Sequence, residues 1–204
     1  MSGRSGWWWT SAVLCTLVAL FSYRYFFGAP LMPPTIAANL RLRPWLMVHV
    51  AGAATALLVG PLQLLAGLRA RRPALHRVLG RVYVAGCFAG GLAGLVLATG
   101  ASTGPVTTAG LGGLGLAWIA TTGLAFGAAL QRRLVAHRAW MIRSFALTFS
   151  AVTLRLYLQL LFVLPVAFDD GYRAISFLCW VPNLLVAELW LRREQARRAL
   201  AAAA

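Results

Sequence analysis

Residues 82–98 read VYVAGCFAGGLAGLVLA, seventeen residues in a row without a charge. A helix needs about 20 predominantly apolar residues to cross the hydrocarbon core of a bilayer. Pro73, a residue suited to a first helical position, lets this run begin earlier and reach that length. Gly86, Gly90 and Gly94 recur at every fourth position, and small residues at that spacing let helix backbones approach closely in lipid. The whole chain shares this character. Of its 204 residues 60% are hydrophobic and 11% charged, with a mean hydropathy of +0.75. A soluble domain uses roughly 25% charged residues to keep its surface wet, so the main solvent of this chain is lipid.

Working outward, five more stretches match the first. Spans are expected over residues 7–27, 45–66, 82–98, 106–130, 140–165 and 172–191. The fold class that follows is all-α, a polytopic membrane protein built as a bundle of six transmembrane helices. A single integral membrane domain covers 1–204: an anchor helix and outer loop at 1–44, a five-helix core at 45–191 and an Arg/Ala-rich tail at 192–204. Gly123 and Gly127 in the fourth span are further expected packing positions.

Charge sets the expected orientation. All 19 basic residues are arginine, and the formal net charge is +15. They cluster between apolar runs, at 69, 71, 72, 77 and 81, at 132, 133, 138 and 143, and at 192, 193, 197 and 198. That clustering follows membrane topology rather than nucleic-acid binding, and it places these loops and both termini in the cytoplasm. Arg41 and Arg43 in the first outer loop depart from the rule, against Arg4 at the N-terminus. The expected location is a bacterial inner membrane, a source the lysine-free, Ala-rich composition also suggests. Span one is longer than the roughly 7–15 apolar residues of a signal peptide. Pro30 follows its only small-residue site, so it is read as a retained anchor, with Trp7, Trp8 and Trp9 at the interface. Cys15, Cys87 and Cys179 lie in apolar runs without CxxC spacing, which argues against a disulfide framework.

Polar residues inside the spans form stripes. On the fifth span His137, Ser144, Thr148, Arg155 and Gln159 share one helical face. On the third, His76, Gly80, Tyr83, Cys87, Gly90 and Gly94 do so, and on the second His49, Ala53, Ala56, Gly60, Gln63 and Gly67. Lipid exposure of polar groups is costly, so these faces are expected to meet inside the bundle. Arg155, deep in span five, requires a counter-charge, a wet cavity or a bound anion; Asp169 and Asp170 could answer it if it reaches outward. Glu188 is expected to pair with Arg81, Arg143 or an inner histidine, and Asn183 to bond a neighbouring helix.

Two stretches, LHRVLGRVY at 75–83 and AHRAWMIRS at 136–144, put a His-Arg pair ahead of another arginine at a span's mouth. Three chemistries suit that pattern. His76 and His137, with their arginines, could bind lipid phosphates. As ligands they could hold a metal ion or a b-type haem, with Met141 one turn from His137. As titrating groups they could carry protons. His49 lies near the opposite face, so the three histidines cannot form one site. In the ligand reading Gln63 and Glu188 flank the pair, and Arg77, Arg81, Arg138 and Arg143 ring the mouth for propionates or phosphates. No HExxH, GxSxG, Walker or dinucleotide-binding signature is present, so the chain is not read as an enzyme.

With HVAGAATALLVGPLQL, HRVLGRVYV and AHRAWMIRSFALTFSAVTLRLYL in view, the chain resembles the bacterial membrane-protein family of domain of unknown function 2306. The resemblance covers about residues 45–190. It falls on His49, Gly60, Pro61, Gln63, His76, Arg77, Gly80, Arg81, Tyr83, His137, Arg138, Trp140, Arg143 and Arg155, and implies a membrane fold without assigning an activity. Three function classes follow. One is a haem-associated redox protein using His76 and His137. Another is a small-solute or proton carrier in which Arg155, His49, Tyr83 and Thr148 meet the substrate or ion. The third is a non-catalytic accessory or assembly subunit that docks a membrane partner or a second copy.

Overall fold

A computed structural model describes residues 2–27 and 41–203, with side chains from 6 to 27 and from 41 to 202. The signal-cleavage reading rests on Pro30, which lies outside the described residues. Helix α1 covers Ser2–Tyr23 and runs into a 3-10 turn at Arg24–Phe27. Then come α2 (Arg43–Gln63), a short α3 (Ala66–Arg71), α4 (Pro73–Thr99), α5 (Pro105–Leu130), α6 (Leu134–Thr148), α7 (Ser150–Val163), α8 (Phe168–Leu178) and α9 (Val181–Ala203). Among the described residues there is no strand. Six stretches are long and apolar enough to cross a membrane, the last two each made of two helices, α6–α7 and α8–α9.

Prolines mark where helices start. Pro73 and Pro105 stand at the first position of α4 and α5, where a missing N–H costs nothing. The fifth span is not a straight rod. At Phe149 the ladder tightens, with Val152 N–H donating to Phe149 O at 2.9 Å, three residues back instead of four. The sixth breaks likewise, Trp180 N–H donating to Phe177 O at 3.2 Å. Its helix then continues through residues 192–203, a stretch expected as a tail.

The tightest pair is α2 against α4, and glycine makes it so. A Cβ on Gly52 would stand 2.6 Å from both Gly86 O and Gly90 N, and one on Gly90 would stand 2.8 Å from Ala53 N. Backbone cannot yield as a side-chain tip can, so only glycine fits this crossing. Gly94 serves differently, making room for the His49 ring at 3.1 Å. Gly127 meets nothing within 4 Å and Gly123 only the Phe88 tip at 3.6 Å, so neither is the close-packing position expected of it.

Two buried clusters fill the bundle. Cys15, Ala19, Ala54, Leu57, Phe145 and Val152 join α1 to α2, α6 and α7. Ala56, Tyr83, Cys87, Trp118 and Leu147 join α2, α4, α5 and α6. All three cysteines are free and buried. Leu17, Phe21, Leu92, Leu116 and Phe162 point outward, as a lipid-facing surface requires. Trp8 ties α1 to α2 by donating from Nε1 to Pro61 O at 3.0 Å. Asn183 donates from Nδ2 across to Ala146 O at 3.3 Å and Thr153 Oγ1 at 3.1 Å, the interhelical bond expected of it.

Candidate functional site

The inward turn of the stripes brings three helices onto one group of side chains. Tyr83 (α4), Ser144 and Thr148 (α6), and Trp118 and Thr122 (α5) form a buried hydrogen-bonded group. Tyr83 Oη lies 2.9 Å from Ser144 Oγ and 2.7 Å from Thr148 Oγ1. Trp118 Nε1 donates to Thr148 Oγ1 at 2.8 Å, and Thr122 Oγ1 lies 2.7 Å from Ser144 Oγ. Donor counting fixes the direction. Thr148 gives its one proton to Ser144 O at 3.0 Å, so it must accept from Trp118 and from Tyr83. Tyr83 then accepts from Ser144, and Ser144 from Thr122. Cys87, also fully buried, packs in the same cluster. Met141 packs against this cluster as well.

Trp118 and Thr122 were missed in the sequence, because no histidine marks a stripe on the fourth span. Their four-residue separation within an apolar run was the available signal.

At the arginine-rich end the accounting does not close. His76 is half-buried near the start of α4, within charge reach of Arg69, His137 and Arg77. Its Nδ1 is buried with no hydrogen-bond partner, and so is Nε2 of Gln63 at the end of α2. The Gln63 amide oxygen lies over Gly80, one turn beyond His76, where a Cβ would come within 3.3 Å of it. Arg69 donates to the Gln63 backbone carbonyl at 3.2 Å. His137 Nδ1 donates to Ala125 O at 2.9 Å, since a carbonyl can only accept, and in the neutral ring this leaves Nε2 as the free acceptor. The structure thus brings His76, His137 and Gln63 to one mouth.

The arginines around that mouth divide. Arg77 and Arg81 are exposed and make no ion pair among the described residues. Arg143 forms a two-point ion pair with Glu188, with its guanidinium 4.6 Å from the Trp140 ring centre. Arg138 pairs with Glu194 at 2.7 Å. The Arg143–Glu188 pair is one of the pairings expected of Glu188, and the carboxylates of α9 thus hold two of the arginines expected to face a ligand.

The opposite end corrects the fifth-span stripe. Tightening at Phe149 turns α7, so Gln159 is exposed and Arg155 faces α1. Arg155 donates from Nη2 to Ser22 Oγ at 2.7 Å and from Nη1 to Ala151 O at 2.9 Å. Asp170 pairs with Arg173 rather than with Arg155. His49 Nδ1 donates to Gly90 O at 2.7 Å. Gly67, expected on the span-two stripe, lies beyond the end of α2 in α3 and meets nothing.

The fold defines a class: an α-helical membrane protein whose six spans enclose a polar core between two histidine-bearing ends. The chain belongs to the family of predicted membrane proteins with domain of unknown function 2306, whose family model matches residues 46–191. No curated protein and no solved structure matches it.

Proposed function

We propose that the chain is a haem-associated membrane protein whose His76 and His137 serve as the iron's imidazole ligands at the arginine-rich mouth. The observation that carries this reading is the 2.9 Å bond from His137 Nδ1 to Ala125 O. A metal-ligating histidine characteristically donates its other ring N–H to a carbonyl or carboxylate, which fixes the ring and raises the basicity of the free nitrogen. His76 adds a second imidazole within charge reach, with a buried Nδ1 that no protein group satisfies.

The donor set favours haem over a bare ion. A structural or catalytic zinc takes three or four protein ligands. No group of three His, Cys, Asp or Glu side chains suited to a metal occurs among the described residues. Two imidazoles form a ligand set that haem iron takes from a protein, and bound haem would supply one-electron redox chemistry. Arg77 and Arg81 stand as cations for its propionates, and the Gln63 amide N–H as a neutral donor. Arg138 and Arg143 are already neutralised by Glu194 and Glu188 and have no part in this reading.

Protein purified from haem-replete cells is expected to show a Soret band, lost in both His76→Ala and His137→Ala. A colourless wild-type protein would overturn the proposal.

A further inference from the structure

Arg155 carries a permanent charge into the fifth span, and the chain has four carboxylates with which to answer it. Glu188 is paired with Arg143, Glu194 with Arg138 and Arg198, and Asp170 with Arg173. Asp169 is exposed and makes no ion pair among the described residues. Among the described residues the hydrogen bonds of Arg155 go to dipoles, the Ala151 carbonyl and the Ser22 hydroxyl, and the charge within its reach is a second cation, Arg24. Ser22 is itself buried, and its own proton goes to Val18 O at 2.7 Å, so it presents a lone pair to Nη2. A guanidinium has five N–H donors; two are used here, leaving three.

Arg155 and Ser22 also line a cavity. About 40 Å³ of open space lies between α1, α2 and α7, lined by Ser22, His49, Ala53, Ala54, Leu57 and Arg155 among others. The His49 ring is fixed through Nδ1 to Gly90 O, and its Nε2 makes no hydrogen bond among the described residues. Everything else on the wall is aliphatic. A cavity of this size takes one small ion, or a carboxylate group with a water beside it. Water alone would satisfy N–H groups but leave the charge uncompensated where the dielectric is low.

We propose that the Ser22–His49–Arg155 cavity binds a small anion, a halide or a carboxylate no larger than formate, on the free N–H groups of Arg155. Arg155 is the one cation on the cavity wall, and Arg24 lies within charge reach of it, so the site favours negative charge. The site is independent of the haem reading. His49 and Gln63 are fourteen residues apart on α2, about 21 Å along the helix axis at 1.5 Å per residue.

The test is chloride-35 NMR line broadening on the full chain in detergent, with chloride titrated into a gluconate buffer. Wild type is expected to show a saturable excess broadening, displaced by bromide and formate but not by further gluconate. Arg155→Gln is expected to lose that excess, and so is Ala54→Val, which fills the cavity and keeps the charge. Broadening by exposed arginines remains the same in all three proteins and sets the background. Identical broadening in wild type and Ala54→Val would mean a cavity holding water only, and would overturn the proposal even if Arg155→Gln failed to fold. A non-saturating wild-type titration would overturn it as well.

Discussion

The mid-bundle core and the arginine-rich mouth use the same residue types to opposite ends. In the core, Thr122, Ser144, Tyr83 and Thr148 hand hydrogen bonds along one direction, and the series stops at the Ser144 carbonyl. Each hydroxyl proton and the Trp118 N–H has an acceptor. Such a closed group works as adhesive between helices, since in lipid an unmet polar group has no water to turn to. At the mouth, one turn from the same stripe, Gln63 Nε2 and His76 Nδ1 are buried without partners. A buried donor or acceptor left unmet costs about 1–3 kcal/mol. The core is polar for stability; the mouth is polar at stability's expense.

The largest expected effect tests the core. Tyr83→Phe deprives Ser144 of its acceptor and Thr148 of a donor, and should destabilise the bundle by about 1–2 kcal/mol, near the upper range for interhelical bonds in lipid. Unfolding in a denaturing detergent series reads this directly; an unchanged midpoint would erase the contrast between the two regions.

The mouth should respond with the opposite sign. In ligand-free protein, Gln63→Leu removes an unmet amide while keeping most of the volume, and should leave stability unchanged or raise it by about 1 kcal/mol. A loss as large as that of Tyr83→Phe would mean that the amide has a partner after all. The same variant would then have no bearing on a ligand.

The smallest effect belongs to the rim. Glu188→Gln breaks the Arg143 ion pair, whose side chains are 20% and 30% exposed. Partly wet pairs contribute about 0–1 kcal/mol, and that difference should shrink as salt is raised. Arg143 keeps its place over Trp140 in either case. A salt-independent loss would instead put the rim inside the dry region and extend the core outward.

Much of this was readable beforehand, and the reasons differ by residue. The stripes on spans three and five were legible because Tyr83, Ser144 and Thr148 interrupt apolar runs at helical spacing, and lipid leaves such residues only an inward direction. Arg155 was legible as costly but not as to its partner. A continuous helix would keep it on the stripe of His137 and Ser144, but one tightened turn at Phe149 rotates everything after it. No composition signal marks that turn. The pairing of Glu188 with Arg143 was among the partners its place in span six allowed, but that of Arg138 was hidden. Glu194 belongs to the helix that follows residue 191, and there the apolar pattern stops while the helix does not.

The sequence alone determined that this chain lives in lipid, crosses it six times and buries its polar stripes. Those outcomes follow from transfer free energies that add residue by residue and need no partner. Only the tertiary structure decided which polar atoms are met and which are not. A hydrogen bond needs two atoms within about 3 Å at a suitable angle, and such pairings arise between helices whose depth, rotation and breaks no single stretch encodes. Tyr83 therefore ends in a closed group, Gln63 and His76 in an open one, and Arg155 beside a cavity with no carboxylate to answer it.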